Sequence, residues 1–307
     1  MKYIYLFLTI MLVSCKPPQS STPEQLLRVA YQSKCGNSER DFYLYLPKNY
    51  SSENAEKWPV MLFLHGNGER GNGKDELGFV MKQGPLYEAW IQKRDLPFII
   101  IAPQLPMFGV DTLPGNEYIL NRKISEIPAR LENGVPKRPE KFGTNQPMLP
   151  AEYVDFADTM PKVYPLGWEL CENDLMNMLE IVLTNYHADK NRIYLTGLSY
   201  GGFGTWYMAS RHPETFAAIS PVVGWGHPEL MQPIAENNIP VWCFAGGRDG
   251  AVELKYFYAG MNKLEELGNT NFRFTIEEDM NHDVWIRVYG GEDIYNWFLQ
   301  FSLKNEN

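Results

Sequence analysis

Cysteine and histidine are scarce in this sequence, whose 307 residues include only four cysteines and five histidines. A chain of this length buries enough surface to fold without a disulfide framework, so the small disulfide-stabilised class is excluded. Basic charge is also scarce, because 28 lysines and arginines face 37 acidic residues and the net charge is -9. That balance argues against a nucleic-acid partner, which requires a basic surface. Hydrophobic residues at 44% and aromatic residues at 14% indicate a globular protein with an aromatic excess available for binding.

The N-terminus has the pattern of a secretory signal. Lys2 precedes an apolar stretch over residues 3–13, which is shorter than the roughly 20 residues needed to cross a bilayer. The Leu-Val-Ser-Cys sequence that ends at Cys15 resembles a bacterial lipobox, in which the cysteine carries lipid after cleavage. We therefore predict a lipoprotein signal peptide over residues 1–14 and a lipidated Cys15. The alternative is an ordinary signal peptide followed by a chance cysteine.

The residues after Cys15 predict where the protein resides. Residues 15–24 are rich in proline and serine, as expected of a tether between an anchor and a domain. Lys16 is not the aspartate associated with retention in the inner membrane. We therefore expect a lipid-anchored protein of the bacterial cell envelope, with the outer membrane favoured over the inner membrane.

Three cysteines remain once Cys15 is assigned to lipid. Cys243 lies in an apolar strand pattern and is predicted to be a buried small hydrophobic residue. Cys35 and Cys171 are candidates for a disulfide, and the sequence alone leaves that pairing open. No spacing typical of a zinc site occurs, and we predict neither a metal nor an organic cofactor.

Apolar runs and helical patterns alternate over residues 25–307. Residues 60–64 and 98–102 are continuous apolar runs, typical of strands buried on both faces of a parallel sheet. Further strands are predicted over residues 41–46, 193–196, 217–223, 241–245 and 272–276, and helices over residues 85–94, 169–186, 199–211, 256–267 and 292–303. This order predicts one α/β domain with a mainly parallel sheet and helices on both faces.

Residues 108–164 interrupt the alternation. The segment contains seven of the 22 prolines, which argues against a helical domain. It also contains aromatic residues that a disordered linker usually lacks. A connection of this length is uncommon unless it is functional or disordered, so we predict an ordered, lid-like insertion packed over one end of the sheet.

The chemistry is predicted to lie at the ends of strands. Gly197-Leu198-Ser199-Tyr200-Gly201 matches G-x-S-x-G, and it follows a predicted strand and opens a predicted helix, which is the context that a nucleophile turn requires. Serine needs a base, and the base needs an acid to orient it. Asp249 follows the strand over 241–245, and His282 follows the strand over 272–276, in the chain order that this motif demands. Glu278 and Asp279 are rival acids, but they precede His282 too closely to reach its far ring nitrogen.

Acyl transfer also requires donors directed at the developing oxyanion. The backbone N–H of Tyr200, next to Ser199, is one predicted donor. The glycine-rich loop after the strand over 60–64 should supply the second donor, which we assign to Asn67, with Gly66 as the alternative. We predict that His65 orients this loop and that Glu69 and Arg70 hold it as an ion pair.

Several segments together resemble the α/β-hydrolases. They are His65-Gly66-x-Gly68-Glu69-Arg70-Gly71, Ala102-Pro103-Gln104, the segment from Arg192 to Gly202, and His282-Asp283-x-Trp285. The combination is similar to a bacterial group of secreted esterases and predicted peptidases, phospholipase/carboxylesterase-like, near feruloyl and acetylxylan esterases and polyhydroxybutyrate depolymerases. The resemblance covers about residues 41–301 apart from the insertion. Gly246-Gly247 departs from the group, which usually has His-Gly there, and the insertion exceeds the group's short connection.

The resemblance and the triad imply a serine esterase that hydrolyses carboxylic esters through an acyl-enzyme. Trp225, Trp168 and Trp285 follow or flank the predicted site, and flat aromatic surfaces suit sugar rings or aromatic acyl groups. We therefore expect a small-molecule or glycan ester as substrate, with carbohydrate-linked acetyl or feruloyl esters favoured. The alternatives are a serine peptidase of the prolyl-oligopeptidase type and a non-catalytic, lipid-anchored glycan-binding protein. The sequence does not indicate an oligomeric state.

Overall fold

The structure is a computed structural model that describes residues 22–303 apart from residues 54, 128–136, 138–159 and 163. The predicted signal peptide, Cys15 and most of the tether lie outside the described residues, as does most of the second half of the predicted insertion. Within the described ranges, no helix has the length and apolar character needed to span a membrane.

The strands of the described residues form one eight-stranded sheet. They are β1 (Gln25–Gln32), β2 (Glu39–Leu46), β3 (Trp58–Leu64), β4 (Ile99–Ala102), β5 (Ala188–Leu198), β6 (Ala218–Val222), β7 (Val241–Gly246) and β8 (Phe272–Glu277). Their order is β1-β2-β4-β3-β5-β6-β7-β8, and only the pairings of β2 with β1 and β4 are antiparallel. The mainly parallel sheet is confirmed, and the loops after β3, β5, β7 and β8 therefore meet at one edge.

The helices follow the predicted order with shorter bounds. They are α1 (Gly84–Leu86), α2 (Glu172–Asn185), α3 (Tyr200–Arg211), α4 (Met231–Glu236), α5 (Phe257–Glu266), α6 (Trp285–Gly290) and α7 (Asp293–Phe298). The helix predicted over 85–94 is α1 followed by a π-helical turn, Tyr87–Ile91, and the helix over 169–186 begins as a 3₁₀ turn, Trp168–Cys171. α4 and α6 were not predicted, because six residues carry little periodicity.

Both faces of the sheet are buried. Along β3, Val60, Leu62 and Leu64 pack into one apolar cluster, which also contains core residues of α2, α3, α4 and α5. Met61 and Phe63 of the same strand pack into a second cluster with residues of α1, α6 and α7. The alternation of side chains along a strand sends neighbouring residues to opposite faces. It therefore explains why β3 appears in the sequence as an unbroken apolar run.

The described first part of the insertion packs against the loop after β3. It forms short 3₁₀ turns at Val110–Thr112, Glu117–Ile119 and Ile124–Glu126. Arg122 donates from Nη1 to the Gly68 carbonyl oxygen at 2.8 Å, and its Cζ lies 4.1 Å from the centre of the Phe79 ring. These residues therefore contact the loop that follows β3. The lid-like insertion over one end of the sheet remains a prediction, since the structure describes only Lys137 among residues 128–159.

Candidate active site

Ser199 lies in a strained turn between β5 and α3. Its backbone has φ 52° and ψ -115°, a conformation that costs an L-residue about 1 to 3 kcal/mol and is tolerated where the surroundings enforce it. The crowding behind the turn requires glycine, because a Cβ on Gly201 would lie 1.8 Å from the Leu64 carbonyl oxygen. This packing brings the start of α3 against the end of β3 and presents Ser199 at the carboxyl edge of the sheet.

His282 joins Ser199 to Asp249. Its Nε2 lies 3.0 Å from Ser199 Oγ, and its Nδ1 lies 2.7 Å from Asp249 Oδ2. The Asp249 carboxylate is fully buried, and its other oxygen accepts the backbone N–H groups of Ala251 and Val252, both at 2.8 Å. These two bonds fix the carboxylate in the orientation that reaches the histidine. The three side chains thus form a continuous hydrogen-bonded chain at sequence positions selected by the motif.

The surroundings of His282 explain which acid it meets. Asp279, a rival acid, instead accepts two hydrogen bonds from Arg287, at 2.8 and 2.7 Å. Gly246, at the end of β7, marks one departure from the sequence resemblance and has a geometric reason. A Cβ on Gly246 would lie 2.2 Å from the Asn281 carbonyl oxygen, so glycine lets the Asp249 loop approach the His282 loop closely.

His65 has a different role. Its ring is buried, its Nδ1 donates to the Gly66 carbonyl oxygen at 2.6 Å, and its Nε2 accepts the Leu105 N–H at 2.9 Å. This pair of bonds fits the neutral imidazole. Burial lowers the pKa of His65 to about 3. The arrangement agrees with the prediction that His65 orients the loop after β3, and the ring stays in its neutral form near neutral pH.

The residues predicted to form the oxyanion hole begin two helical turns that lie side by side. Asn67 is the first residue of the 3₁₀ turn Asn67–Glu69, and Tyr200 is the first residue of α3. A residue in that position has no acceptor for its N–H within its own helix. The two turns follow β3 and β5, which are parallel neighbours in the sheet. The geometry is therefore compatible with the predicted roles, which remain predictions.

Arg70 connects the two turns. Its guanidinium is fully buried, its Nε donates to Asn67 Oδ1 at 2.7 Å, and its Cζ lies 4.7 Å from the centre of the Tyr200 ring. Its remaining nitrogens donate to the carbonyl oxygens of Pro106 at 2.8 Å and Leu166 at 2.7 Å. One buried cation thus fastens four segments around the candidate nucleophile.

The predicted ion pair between Glu69 and Arg70 is wrong for the described residues. Glu69 Oε2 instead lies 3.9 Å from His65 Nδ1, and burial raises the pKa of the Glu69 carboxyl. A buried guanidinium needs acceptors for its five N–H groups, and the Asn67 side-chain oxygen and the backbone carbonyl oxygens of Pro106 and Leu166 take this role in place of Glu69.

Comparisons with known proteins agree with this architecture. The model of the prolyl oligopeptidase family matches residues 169–232, which include the turn at Ser199. Poly(3-hydroxyalkanoate) depolymerase C of Paucimonas lemoignei is 38% identical over 50 residues, which are 16% of this chain and 12% of that protein. Probable acetylxylan esterase A of Neosartorya fischeri is 26% identical over 101 residues, 33% of this chain and 27% of that protein. The matched segments are therefore small parts of these relatives.

Solved structures match far more of the chain. A thermostable esterase superposes with a TM-score of 0.58 at 23% identity, covering 90% of this chain and 63% of that one. The ferulic acid esterase of the anaerobic fungus Anaeromyces mucronatus superposes with a TM-score of 0.51 at 17% identity, covering 93% of each chain. At these identities the likeness concerns the fold.

The chain has the α/β-hydrolase fold. The resemblance stated from the sequence is thereby confirmed for the architecture. Within this fold, Ser199, Asp249 and His282 occupy the loops after β5, β7 and β8 and meet as the motif predicts.

The predicted roles of the tryptophans need a correction. Trp168 and Trp225 were predicted to contact substrate, but their side chains are only 1% and 2% exposed. The Trp168 indole donates to the His65 carbonyl oxygen at 3.1 Å, and the Trp225 ring packs edge-on against Phe203 at 4.8 Å. Both indoles therefore support the site from behind. Trp285 is partly buried, and its ring meets the His282 ring edge-on at 5.1 Å, so it lies beside the triad.

Tyr118 is a residue that the sequence reasoning missed. Its side chain is 52% exposed, and its hydroxyl oxygen accepts from Asn67 Nδ2 at 2.9 Å. Asn116 Oδ1 accepts from the same nitrogen at 2.8 Å. The insertion therefore places an exposed aromatic ring directly on the predicted oxyanion loop. The aromatic content of the insertion was a signal for such a surface, but it did not single out Tyr118.

Proposed function

We propose that this protein is a serine hydrolase that cleaves carboxylic esters, with Ser199 as nucleophile, His282 as general base and acid, and Asp249 as the residue that orients His282. The observation that carries the proposal is the hydrogen-bonded chain Ser199–His282–Asp249, with distances of 3.0 and 2.7 Å, built on a strained turn at the carboxyl edge of the sheet. The esterases among the similar proteins support the same class of reaction.

The proposed reaction uses each group in turn. Ser199 Oγ attacks the ester carbonyl carbon while His282 Nε2 takes the hydroxyl proton, and Asp249 stabilises the imidazolium that forms. The backbone N–H groups of Tyr200 and Asn67 receive the negative charge that develops on the carbonyl oxygen. His282 then gives its proton to the leaving alcohol. Water repeats the sequence on the acyl-enzyme and releases the acid.

For the substrate, we propose an acetyl or feruloyl ester carried on a carbohydrate. The support is the similarity to a probable acetylxylan esterase and to the fold of a ferulic acid esterase. Tyr118, exposed on the predicted oxyanion loop, and Trp285, beside His282, offer aromatic surface of the kind that sugar or phenolic rings stack on.

A serine peptidase is the second candidate. The prolyl oligopeptidase family model matches residues 169–232, so the segment with the nucleophile turn and α3 resembles that family of peptidases. The same triad cleaves amides if the site protonates an amine leaving group and binds the peptide on both sides of the scissile bond. The distinction therefore depends on which substrate the cleft admits.

The deciding experiment compares substrates on the purified protein. We expect hydrolysis of p-nitrophenyl acetate, acetylxylan and methyl ferulate, with little turnover of proline-containing or N-acylated peptides. Ser199→Ala should abolish the activity, whereas Ser302→Ala, an exposed serine far along the chain, should not. Activity that survives Ser199→Ala would refute the nucleophile, and preferential peptide cleavage would favour the second candidate. Xylan binding without any turnover would favour the glycan-binding alternative.

We also propose that Cys15 carries a lipid that anchors the protein in the bacterial envelope, preferentially in the outer membrane. The support is the sequence pattern before Cys15 and Lys16 after it. Labelled fatty acid should enter the protein, and Cys15→Ala should abolish labelling and move the protein to the soluble fraction. Equal labelling of Cys15→Ala would refute the anchor. Accumulation of labelled protein with inner-membrane markers would refute the preference for the outer membrane.

A further inference from the structure

Cys35 and Cys171 meet where the turn between β1 and β2 contacts the start of α2. Their sulfur atoms lie 3.3 Å apart, and both cysteines are free thiols. Cys35 is partly exposed, whereas Cys171 is 4% exposed. The two residues are 136 positions apart in the sequence, so the contact is produced by the fold.

The two thiols differ in a way that suits thiol–disulfide exchange. The hydrogen bond from the Cys171 thiol lowers the pKa of Cys35. The same contact, together with burial, raises the pKa of Cys171. The thiolate is the nucleophile in disulfide exchange. Cys35 is thus the accessible thiol that reacts first. Cys171 is the buried thiol beside it that reacts in the second step.

We propose that Cys35 and Cys171 form a redox-responsive disulfide site that an external disulfide closes, either a small-molecule disulfide or a disulfide oxidoreductase. The Cys35 thiolate attacks one sulfur of the external disulfide, which forms a mixed disulfide and releases one thiol. Cys171 loses its proton to water and attacks the Cys35 sulfur, which forms the Cys35–Cys171 bond and releases the second thiol. The protein loses two electrons and two protons, and the external disulfide takes them up as two thiols.

The cluster fits a disulfide better than a metal ion. Asp174 completes a set of possible ligands with the two cysteines, but its oxygens already accept hydrogen bonds from Ser33 Oγ at 2.6 Å, the Lys34 N–H at 2.7 Å and Cys35 Sγ at 3.2 Å. Two thiolates on one tetrahedral zinc ion lie about 3.8 Å apart, from bonds of about 2.3 Å. The observed separation of 3.3 Å is shorter than that. The Asp174 carboxylate therefore stabilises the turn that contains Cys35 and does not serve as a metal ligand.

The bond would clamp a segment that supports the candidate active site. Cys171 ends the 3₁₀ turn Trp168–Cys171, whose Trp168 donates to the His65 carbonyl oxygen. Closing a loop of more than 100 residues restricts the unfolded chain strongly. We expect the oxidised form to unfold about 5 to 10 °C above the reduced form. This inference does not depend on the proposed esterase activity.

The test compares the protein equilibrated in oxidised and reduced glutathione. Titration under denaturing conditions should show that the oxidised sample has lost two free thiols, and peptide mapping should find Cys35 joined to Cys171. An unchanged thiol count, or glutathione adducts on the two cysteines without a cross-link, would overturn the proposal. So would stoichiometric zinc binding that Cys35→Ser abolishes while no cross-link forms. The thiol titration and the peptide mapping use the unsubstituted protein, so they do not depend on whether a variant folds.

Matched variants then link the bond to stability. Cys35→Ser should remove the difference in unfolding temperature between the oxidising and reducing buffers. Cys243→Ala, which alters a cysteine in the core of β7, should keep that difference whatever its own stability. A redox-dependent shift that persists in Cys35→Ser would refute the assignment.

Discussion

The two sides of the candidate site are built differently. On one side, Asp249 and His282 leave the ends of β7 and β8, and two backbone N–H groups from the residues just after Asp249 fix its carboxylate. On the other side, the loop after β3 depends on Arg70, whose partners include carbonyl oxygens 36 and 96 positions away in the sequence. The acid–base side is held locally, and the predicted oxyanion side is held by distant segments. The two sides should therefore respond differently to substitution.

The largest effect is expected on the acid–base side. Asp249→Asn replaces the carboxylate that accepts from His282 Nδ1 by an amide that favours the wrong tautomer. We expect kcat on p-nitrophenyl acetate to fall by about 10⁴-fold, with little change in unfolding temperature. Asp279→Asn is the control, because that carboxylate pairs with Arg287 and should leave kcat within about threefold. Equal losses in the two variants would place the orienting acid elsewhere.

This contrast also explains what the sequence predicted. Ser199, Asp249 and His282 were found because each follows a strand whose apolar pattern is strong, and because the chain order is diagnostic. The bonds from Arg70 to Pro106 and Leu166 and those from Asn67 to Asn116 and Tyr118 span 36 to 96 positions, and no local pattern encodes them. Sequence reasoning therefore gave Arg70 its neighbour Glu69 as a partner.

Trp225 shows a different limit. Its position just after β6 predicted an exposed ring, since loops at that edge line the site. Val223 has φ 46°, a conformation rare for a β-branched residue, and Trp225 packs into the core against Phe203. A left-handed valine has no signature in the sequence, because nothing in its side chain favours that conformation.

The next effect is expected at Arg70. Arg70→Met keeps the length of the side chain but removes the bonds to Asn67, Pro106 and Leu166. We expect kcat to fall by about 10- to 100-fold with KM nearly constant, because a misplaced donor costs transition-state stabilisation. Arg70→Lys should recover part of kcat through its charge near Tyr200. Arg211→Met, on an arginine with an exposed side chain, is the control. If Arg70→Met lowered only the unfolding temperature and left kcat unchanged, the role of Arg70 would be purely structural.

His65 provides a test of the same loop through stability. The pKa of His65 in the folded protein is about 3, which lies below the usual value of 6.5. Between these two pH values, the unfolded chain therefore binds a proton that the folded protein does not bind. The stabilisation is complete above pH 6.5 and is lost as the pH falls towards 3, by up to about 1.4 kcal/mol per pH unit. His65→Gln should therefore flatten the acid side of the curve of unfolding free energy against pH. NMR provides a direct reading, since His65 should stay neutral at pH 5. A titration midpoint near 6.5 would contradict the burial argument.

The smallest effect on catalysis is expected from substitutions of aromatic residues, and it should differ between exposed and buried ones. Tyr118 is 52% exposed on the oxyanion side, whereas Trp225 is 2% exposed behind α3. Tyr118→Ala should lower kcat/KM for acetylxylan or methyl ferulate by about 5- to 10-fold and leave p-nitrophenyl acetate within about twofold, because only the larger substrates reach the ring. Tyr118→Phe keeps the ring and should retain most of the activity on large substrates.

Trp225→Phe completes the comparison by changing a buried aromatic residue. The smaller ring leaves a cavity against Phe203, so we expect a lower unfolding temperature and an unchanged ratio between large and small esters. If Trp225→Phe altered that ratio while Tyr118→Ala did not, the substrate would lie on the α3 side and the insertion would be a surface appendage. The predicted pattern would instead show that the insertion supplies the surface that selects the substrate, while the buried indoles supply rigidity to Ser199.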